Sequence, residues 1–280
     1  MKKIKLNIFL YTIIFIIGTL FGSFYTLAVY RIPRKKDIIH THSFCPNCNN
    51  KLGFFELIPI LSYVFLGGKC KHCGQKIRPR YLILEVLSGI TFLVFAYIIG
   101  IDANNLKMQT IAEFSFFVLY LCAIFIIAGL ANESRKIEKS VLYYAVTVSL
   151  GYILYLCIIE NASIYRYAMY LIALIFLFII DTIYEKKKRK ICLTCDTLIL
   201  IIVMAIFTGE ILTSFTIITA LILIAIIRLT SNSDKHFKKN RNLSKEVKTI
   251  EKIRINIPFY LCVFNIIDTI YVYILLSFYS

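Results

Sequence analysis

Four cysteines sit in two Cys-x-x-Cys turns, Cys45-Pro46-Asn47-Cys48 and Cys70-Lys71-His72-Cys73, with 21 residues between the pairs. Each turn lets two sulfurs face one ion, and four thiolates at this spacing favour a tetrahedral Zn²⁺. Such a site is structural, because four protein ligands leave no position for a reacting water. Two disulfides would use the same residues, but only in an oxidising compartment. His72 could replace one thiolate, whereas His40 and His42 read as solvated and His236 has no evident role. Cys192 and Cys195 form a third such pair with no partner pair nearby. Small apolar packing is the reading there, with metal or redox chemistry as the alternative. Cys122, Cys157 and Cys262 read as core.

Carboxylates inside apolar runs are the second informative set, because burying one in lipid is costly. Asp196 opens an apolar run, where a helix dipole would stabilise its charge. It reads either as a functional group or as an interfacial helix start facing the basic run Lys186 to Lys190. Asp268 lies mid-run and is expected to pair inside a bundle. Glu113 reads as interfacial.

The elements that must position these groups follow from composition. The chain of 280 residues is 59% hydrophobic, with a mean hydropathy of +0.76. That much apolar surface requires an all-α polytopic membrane protein. About eight transmembrane helices are expected, over 7–30, 82–100, 110–130, 141–159, 166–184, 192–208, 211–228 and 257–279. Lys2, Lys3 and Lys5 precede a run too long for a cleaved signal peptide. The net charge of +16 comes from clusters: ten Lys/Arg in 31–80, five in Lys186 to Lys190 and eight in 231–256. With eight spans these share one side with Arg135, Lys136 and Lys139, so the cysteine loop is cytoplasmic by the positive-inside rule. The basic loops are topological determinants that could also touch anionic lipid or an acidic partner; nucleic acid is not an expected partner. Four of the five prolines fall in 31–80, marking a small module stapled by metal. Its apolar stretch Phe54 to Leu66 packs on the knuckles or lies at the membrane surface. The division expected is a first transmembrane helix over 1–30, a cytoplasmic four-cysteine zinc module over 31–81 and a seven-helix membrane domain over 82–280. No internal repeat of useful strength is visible.

Gly22-Ser23-Phe24 and Tyr30-Arg31-Ile32-Pro33 precede the first knuckle, and Leu57-Ile58-Pro59-Ile60-Leu61-Ser62-Tyr63 lies between the two. Together with Gly68-Lys69-Cys70 and Arg80-Tyr81 … Glu85, these stretches resemble the N-terminal module of the bacterial prepilin peptidases. The likeness runs over about residues 18–90; Thr26 departs from it where the family has Asn. Ile257-Pro258-Phe259 is similar to the motif that opens the family's last span. The resemblance implies a bifunctional leader peptidase and N-methyltransferase of the inner (cytoplasmic) membrane, serving type IV pilus, protein secretion or competence systems. Its partners would be prepilin-like proteins with basic leaders. S-adenosylmethionine enters only by this resemblance, since no glycine-rich nucleotide loop is visible. Glu85 falls where the family also has Glu, and would bind a basic leader or pair with Arg78 or Arg80.

The family cleaves with two aspartates at the cytoplasmic ends of helices. One acts as base on water while the other donates to the scissile carbonyl, their repulsion keeping one charged and one neutral. Aligning Ile137-Glu138 on the family's Ile-Pro places Ala131 at the first position, where a methyl offers no acid–base chemistry. Leu193-Thr194-Cys195-Asp196 stands at the Gly-x-Gly-Asp motif, with the aspartate kept, the glycines absent, and Leu198 in place of the family's lysine. Asp196 is therefore the catalytic carboxylate implied, with Glu133, Glu138 or Asp181 as its candidate partner. The alternative is an inactive prepilin-binding or assembly partner.

Overall fold

The computed structural model describes residues 2–38, 40–134, 136–188, 193–238 and 256–279. Nine helices follow in order among them: α1 (Lys2–Arg31), α2 (Leu61–Phe65), α3 (Arg80–Ile98), α4 (Met108–Ser134), α5 (Lys139–Ile159), α6 (Ile164–Lys188), α7 (Leu193–Thr208), α8 (Glu210–Lys238) and α9 (Ile257–Tyr279). Two isolated β-bridges are the only extended pairing among the described residues. All the helices except α2 and α7 are long and apolar enough to cross a membrane. The protein is a multi-pass, all-α membrane protein. The remaining expected span, 192–208, is α7, with 16 residues. Gly209, at φ +85°, ends it and turns the chain at once into α8.

The chain forms two compact units, Met1–Leu130 and Ala131–Ser280. In the first, α1 and α3 pack backbone to backbone. A Cβ on Gly18 would lie 2.8 Å from Gly89 Cα, and one on Gly22 only 2.7 Å from Glu85 Cα. Gly18 and Gly22 are a Gly-x-x-x-Gly pair, the device by which helices approach closely in lipid, where the hydrophobic effect cannot draw them together. On α4, Phe125 stacks on Tyr25 at 5.1 Å, and the Tyr25 hydroxyl meets Cys122 Sγ at 3.4 Å. At the far end, the Tyr11 hydroxyl donates to Ile101 O (2.9 Å), closing the turn after α3.

In the second unit α7 is the hub, packed on α5, α6, α8 and α9. Its Ile199, Leu200, Val203 and Met204 are wholly buried. Lipid is left to helices such as α6, whose Ile172, Ile175, Phe176 and Ile179 point outward. A polar seam joins α8 to α9: the Thr219 hydroxyl donates to Asp268 Oδ2 (2.8 Å), and Asn265 reaches Thr208 at the end of α7 (3.5 Å). Asp268 thus pairs inside the bundle as expected.

Candidate metal centre and buried carboxylates

The two knuckles are copies of one backbone pattern. The Cys45 N–H donates to Asn50 O (3.0 Å) and the Asn49 N–H donates back to Cys45 O (2.9 Å). At the same offsets, the Cys70 N–H donates to Gln75 O and the Gly74 N–H to Cys70 O, both at 2.9 Å. Asn49 (φ 56°) and Gly74 (φ 67°) take the left-handed corner, which Gly and Asn tolerate best. Bridges Phe44 to Lys51 and Lys69 to Lys76 close the two turns alike. An eight-residue repeat underlies this: Cys45-Pro-Asn-Cys-Asn-Asn-Lys-Leu52 and Cys70-Lys-His-Cys-Gly-Gln-Lys-Ile77. The expectation that the chain holds no useful repeat is corrected at this short length, visible only once the cysteines set the register.

The Sγ atoms of Cys45, Cys48, Cys70 and Cys73 all lie within 4.8 Å of one another, and all four thiols are free. Cys45 Sγ and Cys73 Sγ are 3.8 Å apart. A tetrahedron with metal–sulfur bonds of about 2.3 Å has an edge of about 3.8 Å, so a metal ion fits this donor set. The Asn47 amide donates across the pair to Cys73 Sγ (3.6 Å). That amide, then the Gln75 N–H, pull the Cys73 thiol down to about 6. The Cys48 N–H foremost lowers Cys45. For Cys48 the Asn50 N–H also pulls downward, but burial and the sulfurs of Cys45 and Cys73 outweigh it and set the thiol at about 11. The cluster thus holds thiolate and thiol side by side, and an incoming ion must displace the remaining protons. His72 is not in the sulfur cluster: its Nε2 lies 3.7 Å from Glu56 Oε1. His40 pairs with Asp37 (3.0 Å).

Two supports for this module escaped sequence reading. Arg31, 3% exposed at the end of α1, donates from Nη1 to the carbonyls of Asp37 (2.9 Å) and Thr41 (2.9 Å) and from Nη2 to that of His42 (3.1 Å). It ties the approach to the first knuckle to the helix. Glu85, expected to pair with Arg78 or Arg80 or to meet a leader, turns Oε2 to the backbone N–H of Ile60 (2.8 Å).

In the second unit, Asp196 is fully buried in the first turn of α7, and Asp181 on α6 is 3% exposed. Lys139, the first residue of α5, donates to Asp181 Oδ2, while Asp181 Oδ1 is buried without a hydrogen-bond donor among the described residues. Glu133 is exposed, and Glu138 is half-buried at the N-cap of α5. Ala131 is fully buried, its carbonyl accepting the amide of Asn256, which caps α9 through the Phe259 N–H (3.4 Å). Cys195 is buried; Cys192, Arg135 and the run 189–190 lie outside the described residues, as does 239–255 of the basic tail loop.

Residues 16–99 match the family model for the bacterial peptidase A24 N-terminal domain. The fold thus defines a multi-pass membrane protein whose residues 16–99, which include the cysteine cluster, are similar to that domain. A Vibrio cholerae prepilin leader peptidase/N-methyltransferase is 31% identical over 141 residues, 40% of this chain and 55% of that protein. One from Bacillus subtilis is 43% identical over 91 residues, 32% of this chain and 37% of that protein. A third, from Klebsiella pneumoniae, is 32% identical over 93 residues, 31% and 41% of the respective chains. The chain is similar to these prepilin leader peptidase/N-methyltransferases over part of its length, and it spans only about half the length, or less, of each. No solved structure matches.

Proposed function

We propose that this chain is a prepilin leader peptidase-like protein of the cell membrane. It would remove basic leaders from prepilin-like proteins at the cytoplasmic face and methylate the new N-terminus, with S-adenosylmethionine as donor. In this reading 1–30 is an anchoring span, 31–81 a cytoplasmic module and 82–280 a peptidase-like membrane domain. Zn²⁺ held by Cys45, Cys48, Cys70 and Cys73 would staple the module and supply no chemistry of its own, since four thiolates close its coordination sphere.

The observation that supports the reading is the burial of two carboxylates in the second unit, Asp196 at the start of α7 and Asp181 toward the end of α6. Buried carboxyl pairs divide their roles: one takes a proton from water while the other gives one to the scissile carbonyl. Asp196 is the first member. Among Glu133, Glu138 and Asp181, burial favours Asp181 as the second, with Lys139 holding its orientation.

Cleavage of a prepilin in membranes by the unmodified chain, Asp196→Ala and Asp181→Asn tests this. Loss of cleavage of about 10³-fold or more in Asp196→Ala is expected, as when one member of a catalytic set is removed. An unmodified chain that fails to cut a prepilin which an authentic relative cuts would sink the peptidase reading and leave prepilin binding.

A further inference from the structure

The stretch between the knuckles does not pack wholly onto them. Tyr63 on α2 does face the second knuckle, its hydroxyl donating to Ile77 O (3.5 Å) and closing over Gly68. The rest points away: Phe54 is 78% exposed, Phe55 81%, Val64 62% and Phe65 82%, with Leu61 half exposed beside them. Two tandem phenylalanines and a short apolar helix form one uncovered edge, of the kind that marks a binding surface.

The backbone fixes where this edge stands. Leu61 N–H donates to Pro59 O (2.6 Å) around Ile60 at φ 62°, ψ −55°, a γ-turn of the rare, strained hand. A β-branched residue holds that conformation only where its surroundings impose it. Here the imposing group is Glu85, whose carboxylate takes the Ile60 N–H at 2.8 Å. Glu85 lies in the second turn of α3, and α3 is locked to α1 at Gly22 against the Glu85 backbone itself. Ile60, at the start of α2, is thus held beside the second turn of α3, a helix long and apolar enough to cross a membrane from Arg80 onward. The module that carries this edge is basic: Lys51, Lys69, Lys71, Lys76 and Arg78 are exposed, and residues 31–80 hold ten basic side chains against Asp37 and Glu56 alone.

We infer that Phe54, Phe55, Leu61, Val64 and Phe65 insert into the boundary between headgroups and acyl chains of the membrane that α1 and α3 cross, with the surrounding lysines and arginines on anionic lipid headgroups. Apolar side chains at that depth with a basic rim are what an interfacial membrane anchor requires. The Glu85–Ile60 tether sets the depth, and the knuckles form the scaffold behind.

The chain contains no tryptophan, so a single introduced one reports a single place. Phe55→Trp, Phe65→Trp and, on the second knuckle, Lys71→Trp are compared in the full chain reconstituted into phosphatidylcholine vesicles with and without phosphatidylglycerol. Lipid brominated near the top of the acyl chains should quench the first two about twofold or more beyond Lys71→Trp, and acrylamide should quench Lys71→Trp most, as burial at the boundary implies. Removing phosphatidylglycerol should weaken the contrast. Amide exchange over 54–66 in the unmodified chain, slower in anionic bilayers than in neutral detergent, gives the same answer without substitution. Equal acrylamide quenching at all three positions, with exchange indifferent to lipid, overturns the inference. So does shielding without bromolipid quenching that appears only when a basic leader peptide is added or when protein density rises, which would seat a peptide or a second copy there.

Discussion

At the scale of single residues, the cysteine cluster is governed by one amide. Asn47 reaches across from the first knuckle to Cys73 of the second, and it is the foremost reason that thiol titrates at about 6. In chelator-treated protein, alkylation of Cys73 should rise through a midpoint near 6 and be suppressed when Zn²⁺ is restored. Asn47→Ala should move that midpoint up toward an ordinary thiol and slow alkylation at neutral pH, as maleimide labelling with mass spectrometry would read. Metal uptake should weaken as pH falls, because protons then compete for Cys73 as well as for Cys48, which keeps its own to about 11. If Asn47→Ala leaves the midpoint unmoved, the amide does not set the thiol.

At the scale of elements, the α1–α3 contact depends on residues with no side chain. Gly22→Val would drive its Cβ into the backbone of Leu84 and Glu85, which cannot move aside as a side-chain tip can. Overpacking of this kind costs about 1–3 kcal/mol, read as a lowered melting temperature in detergent. Gly53→Ala, with nothing nearer than Glu56 Oε2 at 3.6 Å, is the matched control and should change little. Much of this scale is legible in sequence. Long apolar runs give the spans, the paired cysteines give the knuckles, and an aspartate beginning an apolar run marks the start of α7. What stays hidden is coupling across distance in the chain. Glu85 caps Ile60, 25 residues away, and Lys139 meets Asp181, 42 residues away. No local pattern of residue types announces either, because each arises only when helices have already packed. Arg31 was hidden differently: an arginine ending an apolar helix looks like a topology signal, and only the fold shows it binding carbonyls.

At the scale of the whole molecule, two units with separate sources of order imply separable losses of order. The first gathers four cysteines from residues 45–73 into a donor set that fits a metal ion, whereas among the described residues the second contains no comparable cluster. Stripping the ion with a membrane-permeant chelator should therefore open protease sites within 31–81 while leaving α5 to α9 intact, as limited proteolysis followed by mass spectrometry would show. Simultaneous melting of both would mean that the second unit draws its stability from the first.

The hub helix of the second unit has a consequence for how a charge is carried at membrane depth. The described part of α7 has 16 residues, rising about 24 Å against a hydrocarbon layer about 30 Å thick. It does not stand in lipid alone, because α5, α6, α8 and α9 pack around it. Asp196, fully buried in its first turn, therefore meets protein where a lone helix would offer it only oil.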